Sequence, residues 1–164
     1  IACRWQNPSR LDMTSLELKI PPPLVALLTG LLMWSATRLV PPLALPGVAR
    51  VAVAAVLVGV GVGLAISGVL TFKRAKTTVN PTTPAAASAL VRTGVFRFTR
   101  NPMYLGLLLC LVAWAVYLSN ALALLIVPLF VLYMNRFQIA PEERALATLF
   151  GDAYAAYKRE VRRW

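Results

Sequence analysis

Four apolar stretches, separated by polar or proline-rich connections, organise this chain. The first covers residues 24–40 and follows the triple proline Pro21, Pro22 and Pro23, whose fixed φ suits the entry to a helix. At about 17 residues it stands at the lower limit for a membrane crossing. The second, residues 48–72, is long enough to cross with tilt. It carries Gly59, Gly61, Gly63 and Gly68, and the Gly59 to Gly63 spacing predicts a small-residue face for close helix packing. No G-x-G-x-x-G follows a strand here, so a dinucleotide fingerprint is excluded. The third apolar run, residues 103–133, exceeds a single usual span and has one polar break, Tyr117-Leu-Ser-Asn120. That break predicts a tight helical hairpin with arms over 103–118 and 120–134, the second kinked at Pro128. The pattern as a whole is that of an all-α, polytopic transmembrane bundle with about four spans.

The polar segments have characters of their own. Residues 73–101 carry Pro81, Pro84 and a threonine-rich run at Thr77, Thr78, Thr82 and Thr83, which reads as an irregular loop. In the tail, Leu146, Leu149, Phe150, Tyr154, Tyr157, Val161 and Trp164 recur at spacings of three and four. These make one face of an amphipathic helix over 141–164, lying on the membrane surface or folded back on the bundle. Gly151 is its candidate break. Residues 1–12 are polar and lack a signal-peptide core. Met13 opens a more natural run, so 1–12 reads as a non-native or disordered leader before a single domain over 13–164.

Composition sharpens this picture. Charged residues are only 14% and mean hydropathy is +0.68, against about 25% charged in soluble domains. No Asp or Glu occurs between Glu17 and Glu142, so the middle of the chain offers no carboxylate. The net charge of +11 sits in short clusters beside the apolar runs, which points to the anionic cytoplasmic leaflet and away from nucleic acid. Both termini are therefore expected in the cytoplasm of a bacterial inner membrane. Arg38 and Arg50, beside the outer connection, can snorkel. There is no histidine, which removes histidine triads and most zinc sites. No metal is expected. Cys110 lies in an apolar run, so no disulfide framework with Cys3 is expected.

Two constellations could carry chemistry. The first is Gly94-Val-Phe-Arg-Phe-Thr-Arg-Asn-Pro-Met-Tyr-Leu-Gly106. Asn101 is a suitable N-cap and Pro102 a suitable first residue for the third span. Its free amides, with Arg97 and Arg100, suit an anion such as a carboxylate. A capped helix with snorkelling arginines explains the same residues without a ligand. The second is Pro141-Glu-Glu-Arg144 with Gly151, Tyr154 and Tyr157 beyond it. Glu142 and Glu143 fit a helix N-terminus electrostatically. They also stand where the last span meets the cytoplasm, where carboxylates can bind ribose hydroxyls or an amino group.

Together these segments, over roughly residues 73–164, resemble the isoprenylcysteine carboxyl methyltransferase and phospholipid methyltransferase superfamily. The resemblance implies a small polytopic enzyme that takes its methyl group from S-adenosylmethionine, with a cofactor pocket open to the cytosol and an acceptor entering from lipid. It implies Gly94, Arg100, Asn101, Pro102, Tyr104, Glu142 and Glu143 as cofactor-binding residues. Arg100 would pair with the cofactor carboxylate, and Glu143, Arg100 and Tyr104 would be the catalytic candidates. Arg144 and Tyr154 are weaker ones. Many relatives carry His-Pro where this chain has Asn101-Pro102, so the resemblance speaks more firmly to fold and cofactor than to acceptor. A lipid amine, a prenylcysteine-like carboxylate and a hydrophobic thiol all stay open, as does the oligomeric state. If the acceptor must lose a proton, Glu143 or a tyrosine is the local option. Competing readings are an NADPH-dependent membrane reductase of related architecture and a non-catalytic scaffold or carrier.

Overall fold

The computed structural model describes residues 17–75 and 87–164; the leader over 1–12, Met13 and the threonine-rich run fall outside them. Among the described residues five α-helices form: α1 (Pro22–Ala36), α2 (Gly47–Arg74), α3 (Pro102–Leu118), α4 (Ala121–Tyr133) and α5 (Ala140–Glu160). A 3-10 turn, Gly94–Arg97, precedes α3, and a π-helical segment, Met134–Ile139, joins α4 to α5 without a break. Among the described residues there is no strand, only an isolated bridge between Thr99 and Arg162. Two continuous helices, Gly47–Arg74 and Ala121–Glu160, are long and apolar enough to cross a membrane, and α1 and α3 are shorter apolar helices. Past Tyr133 the second of these turns polar at Asn135, Arg136 and Gln138, so its apolar part ends there.

Side-chain exposure is inverted relative to a soluble bundle. Leu27, Leu28, Leu31, Val56, Leu125 and Leu132 are all more than half exposed, whereas Asn101, Asn120, Gln138 and Glu143 are buried. The apolar core runs between α1, α3 and α4 through Met33, Leu111, Ala115, Ala123, Phe130 and Met134. Large apolar side chains turned outward and polar ones turned inward suit a hydrocarbon surrounding.

Helices α2 and α3 approach at two glycines. A Cβ on Gly61 would stand 2.7 Å from the Gly106 carbonyl oxygen, and one on Gly106 would strike the Gly61 carbonyl in return. Gly68 likewise admits Met103. The expected Gly59 to Gly63 face is therefore corrected: a Cβ at either meets nothing within 4 Å among the described residues. Glycines four apart share a helix face, but that face points away from α3, and Gly61, two residues on, lies nearly opposite.

The hairpin end is tied to the α1–α2 connection. Ser119 adopts a left-handed conformation at φ 52° and closes α3. Asn120 caps α4, its side-chain oxygen accepting from the amides of Leu122 and Ala123. Its amide donates to the Val40 carbonyl at 2.9 Å, and Ser119 Oγ donates to the Leu43 carbonyl at 2.8 Å. Helix α1 ends at Ala36, short of the expected residue 40, because the chain must turn ahead of Pro41 and Pro42.

At the other end, Pro141 shapes the junction of α4 and α5. It has no N–H to give the Phe137 carbonyl four residues back, and that carbonyl accepts the Leu18 amide at 3.0 Å instead. Glu17 then pairs with Arg136 at 2.9 Å and with Arg144. The tail helix stops short of the expected residue 164, and it breaks at Gly151 as the sequence suggests. Gly151, at φ 48° and ψ −124°, kinks it, leaving Leu149 45% exposed while Tyr154 and Tyr157 are buried. Helix α5 stops at Glu160, and residues 161–164 extend back along the chain segment before α3.

Candidate active site

The segment before α3 and the returning tail are joined by backbone and side-chain bonds. The Arg100 amide donates to the Arg162 carbonyl at 2.9 Å. Thr99 Oγ1 and Asn101 Nδ2 both donate to the Arg163 carbonyl, at 3.1 and 2.9 Å. Asn101 stands at the N-cap position, but the expected cap bond is corrected: its side chain makes none to α3, and its Nδ2 donates to the tail instead. Pro102 is at the start of α3 as the sequence suggests.

The two glutamates at the start of α5 differ in their surroundings. Glu143 is buried and bonded at both oxygens: Arg100 Nη2 reaches Oε1 at 2.8 Å and Arg163 Nη2 reaches Oε2 at 2.6 Å. Burial alone would raise its pKa, but the hydrogen bonds and charges of Arg163 and Arg100 outweigh this and hold it below the usual value. Arg100 also donates through Nη1 to the carbonyls of Lys158 and Val161. Its Nε is buried with no acceptor among the described residues.

Glu142 instead meets α3. Tyr104 donates its hydroxyl to Glu142 Oε2 at 2.9 Å, and Gln138 Nε2 approaches the same hydroxyl at 3.4 Å. Burial raises the Glu142 carboxyl to about 7; the Tyr104 hydrogen bond opposes the shift and the Glu143 charge adds to it. The π-helical turn ahead of α5 carries Gln138 to this side, and such turns recur at functional sites.

These groups line one cavity. Arg100, Asn101, Pro102, Met103 and Tyr104 form one wall; Ile139, Glu142, Glu143, Leu146, Tyr154 and Tyr157 form another, closed by Phe72, Val91 and Phe96. The edge-to-face pair of Phe72 and Phe96, 4.9 Å between centroids, packs the end of α2 against the 3-10 turn. Tyr157 fixes that turn by donating to the Phe96 carbonyl at 2.7 Å.

Six of the seven residues expected at a cofactor site thus share one cavity. Gly94 does not line it: at φ +61° it forms a turn against Thr71 at the end of α2. Arg97 is exposed and Arg144 is engaged with Glu17, so neither lines the cavity, whereas Tyr154 does. Sequence reasoning missed Arg163, Thr99, Gln138 and Phe96. Arg163 is indistinguishable by pattern from Arg159 and Arg162, and only the fold shows which arginine meets Glu143.

The model of one family, described as phospholipid methyltransferase, matches residues 49–153, more than half of the chain. The chain belongs to the phospholipid methyltransferase family. The matched residues run from the start of α2 past the Glu142-Glu143 pair, so both walls of the cavity fall largely within them. Over 62 residues, 38% of this chain, it is 56% identical to an uncharacterized protein of Haemophilus influenzae, of which it covers 98%. No solved structure matches it significantly. Membership of this family, with two long apolar helices whose side chains face outward, makes the protein an integral membrane protein of methyltransferase type.

Proposed function

We propose that this protein transfers a methyl group from S-adenosylmethionine to an acceptor that partitions into the bilayer. The observation that carries the reading is the meeting of two motifs some forty residues apart around one cavity. Arg100, Asn101, Pro102 and Tyr104 face Glu142 and Glu143, at the polar end of an otherwise apolar bundle. The donor set fits such a cofactor. The buried Nε of Arg100, without an acceptor among the described residues, is a donor for an anionic oxygen, and Phe72, Val91 and Phe96 supply an apolar wall.

The sulfonium cofactor would supply a methyl group already activated for displacement. What remains for the chain is proximity, alignment and a dry cavity, tasks that need no metal or covalent nucleophile. We read α1 to α4 as four crossings, α1 and α3 being short enough to require local thinning of the bilayer. The cavity and the basic tail then face the cytoplasm, and the Ser119-Asn120 turn faces outward. A bacterial inner membrane fits this orientation. The acceptor would reach the cavity from the lipid.

Calorimetric titration of the purified protein in detergent tests the reading. S-adenosylmethionine or its demethylated product should bind, and NADPH much more weakly. Binding of NADPH with no heat from either sulfur compound would overturn it in favour of a reductase.

A further inference from the structure

The neighbouring glutamates are engaged to different degrees. Both oxygens of Glu143 are held by arginines, at 2.8 Å from Arg100 and 2.6 Å from Arg163, so this carboxylate is committed to ion pairs. Glu142 accepts one bond, from the Tyr104 hydroxyl. Among the described residues no donor reaches its other oxygen, and it lines the cavity. The tyrosines that line the cavity are poor alternatives. Burial pushes Tyr154 well above its ordinary value and Tyr157 to about 12, and the Tyr104 hydroxyl is occupied as a hydrogen-bond donor to Glu142.

We propose that Glu142 takes the proton from the methyl acceptor, so that the acceptor is a nucleophile with a proton to lose, an amine or a thiol, and not a carboxylate. This rests on the methyltransferase reading above. For a lipid ammonium, one N–H proton passes to the Glu142 carboxylate and frees the nitrogen lone pair. That pair forms the bond to the methyl carbon while the old carbon–sulfur electrons remain on the donor's sulfur. The product leaves as the methylated ammonium, and Glu142 returns its proton to water. For a thiol the S–H proton follows the same course, and a neutral thioether leaves.

The surroundings suit a base working near neutrality. Tyr104 from α3 holds one oxygen, Glu143 beside it adds a negative charge, and Tyr154 faces it from beyond the kink. The charges of Arg100 and Arg163 are turned to Glu143. A carboxyl raised to about 7 by burial matches the pKa at which acid–base catalysis is most efficient.

The experiment compares the parent with Glu142→Gln and Glu142→Asp in detergent. Acceptors are phosphatidylethanolamine-containing mixed micelles and dodecanethiol, with labelled S-adenosylmethionine. Cofactor affinity of the Gln variant should stay within about threefold of the parent, while turnover falls by about 10²–10⁴. The Asp variant should recover part of that loss. In the cofactor-free protein, pH-difference infrared spectra should show one carboxyl titrating near neutrality, absent in Glu142→Gln. Three results would overturn the proposal: turnover by the Gln variant within tenfold of the parent, loss of cofactor affinity in step with turnover, or no such carboxyl in the parent. A parent that binds the cofactor but methylates neither acceptor sinks this inference and leaves the cofactor reading standing. A parent that binds no sulfur cofactor removes both.

Discussion

Arg163 Nη2 lies 2.6 Å from Glu143 Oε2, so a residue of the returning tail completes the ion pair at the start of α5. Because Arg100 holds the other oxygen at 2.8 Å, this one carboxylate joins the tail, the segment before α3 and α5. Its removal leaves Arg100 buried and uncompensated. Glu143→Gln is expected to cost about 3–5 kcal/mol, the range for breaking a buried pair. Arg163→Ala, with one arginine retained, should cost less, about 1–3 kcal/mol. Denaturant unfolding in detergent checks both. Equal, negligible losses would show the tail to be unattached.

The pH dependence of stability separates the two glutamates. The folded protein raises Glu142 from 4.5 to about 7, so it binds this proton more tightly than the unfolded chain. That contribution is complete below about pH 4.5 and is lost as pH rises to about 7. Glu143 is lowered from 4.5, so its contribution is present above pH 4.5 and is lost as pH falls through its folded pKa. Melting temperature followed across pH 4 to 8 should therefore decline more steeply toward neutrality in the parent than in Glu142→Gln. An unchanged slope in the variant would refute the assignment.

The glycines of α2 and α3 give a contrast between a packed position and an open one. Gly106→Ala must push α3 away from the Gly61 carbonyl and should cost about 1–3 kcal/mol as an overpacking change. Gly59→Ala meets nothing among the described residues and should be neutral or stabilising by up to about 1 kcal/mol through helix propensity. Thermal melts of the two variants decide it, and a larger loss at Gly59 would contradict the α2–α3 packing.

Orientation is open to labelling from outside. In a Cys-free background, Val48→Cys, 86% exposed at the start of α2, should react with an impermeant maleimide in intact cells. Lys158→Cys, on the exposed side of α5, should react only after permeabilisation. The reverse result would invert the topology.

The apolar runs and their breaks already define helices in the sequence, because burial of backbone polar groups in lipid leaves helices as the simplest solution. The Ser119-Asn120 reversal and the break at Gly151 were legible for that local reason. Which face of a helix meets which neighbour was not. Gly59 to Gly63 and Gly61 to Gly68 are equally plausible packing stripes until α3 is set against one of them. Asn101 reads as a cap by type, yet the contact it makes is to the Arg163 carbonyl, which only the returning tail brings within reach. The paired glutamates look equivalent in the chain. Their division into an arginine-bound carboxylate and one shared with Tyr104 arises from adjacent helix positions pointing about 100° apart, toward the returning tail and toward α3. Composition and periodicity determined the elements; contacts between residues some 20 to 60 apart decided the state of each polar group where α3, α5 and the tail meet.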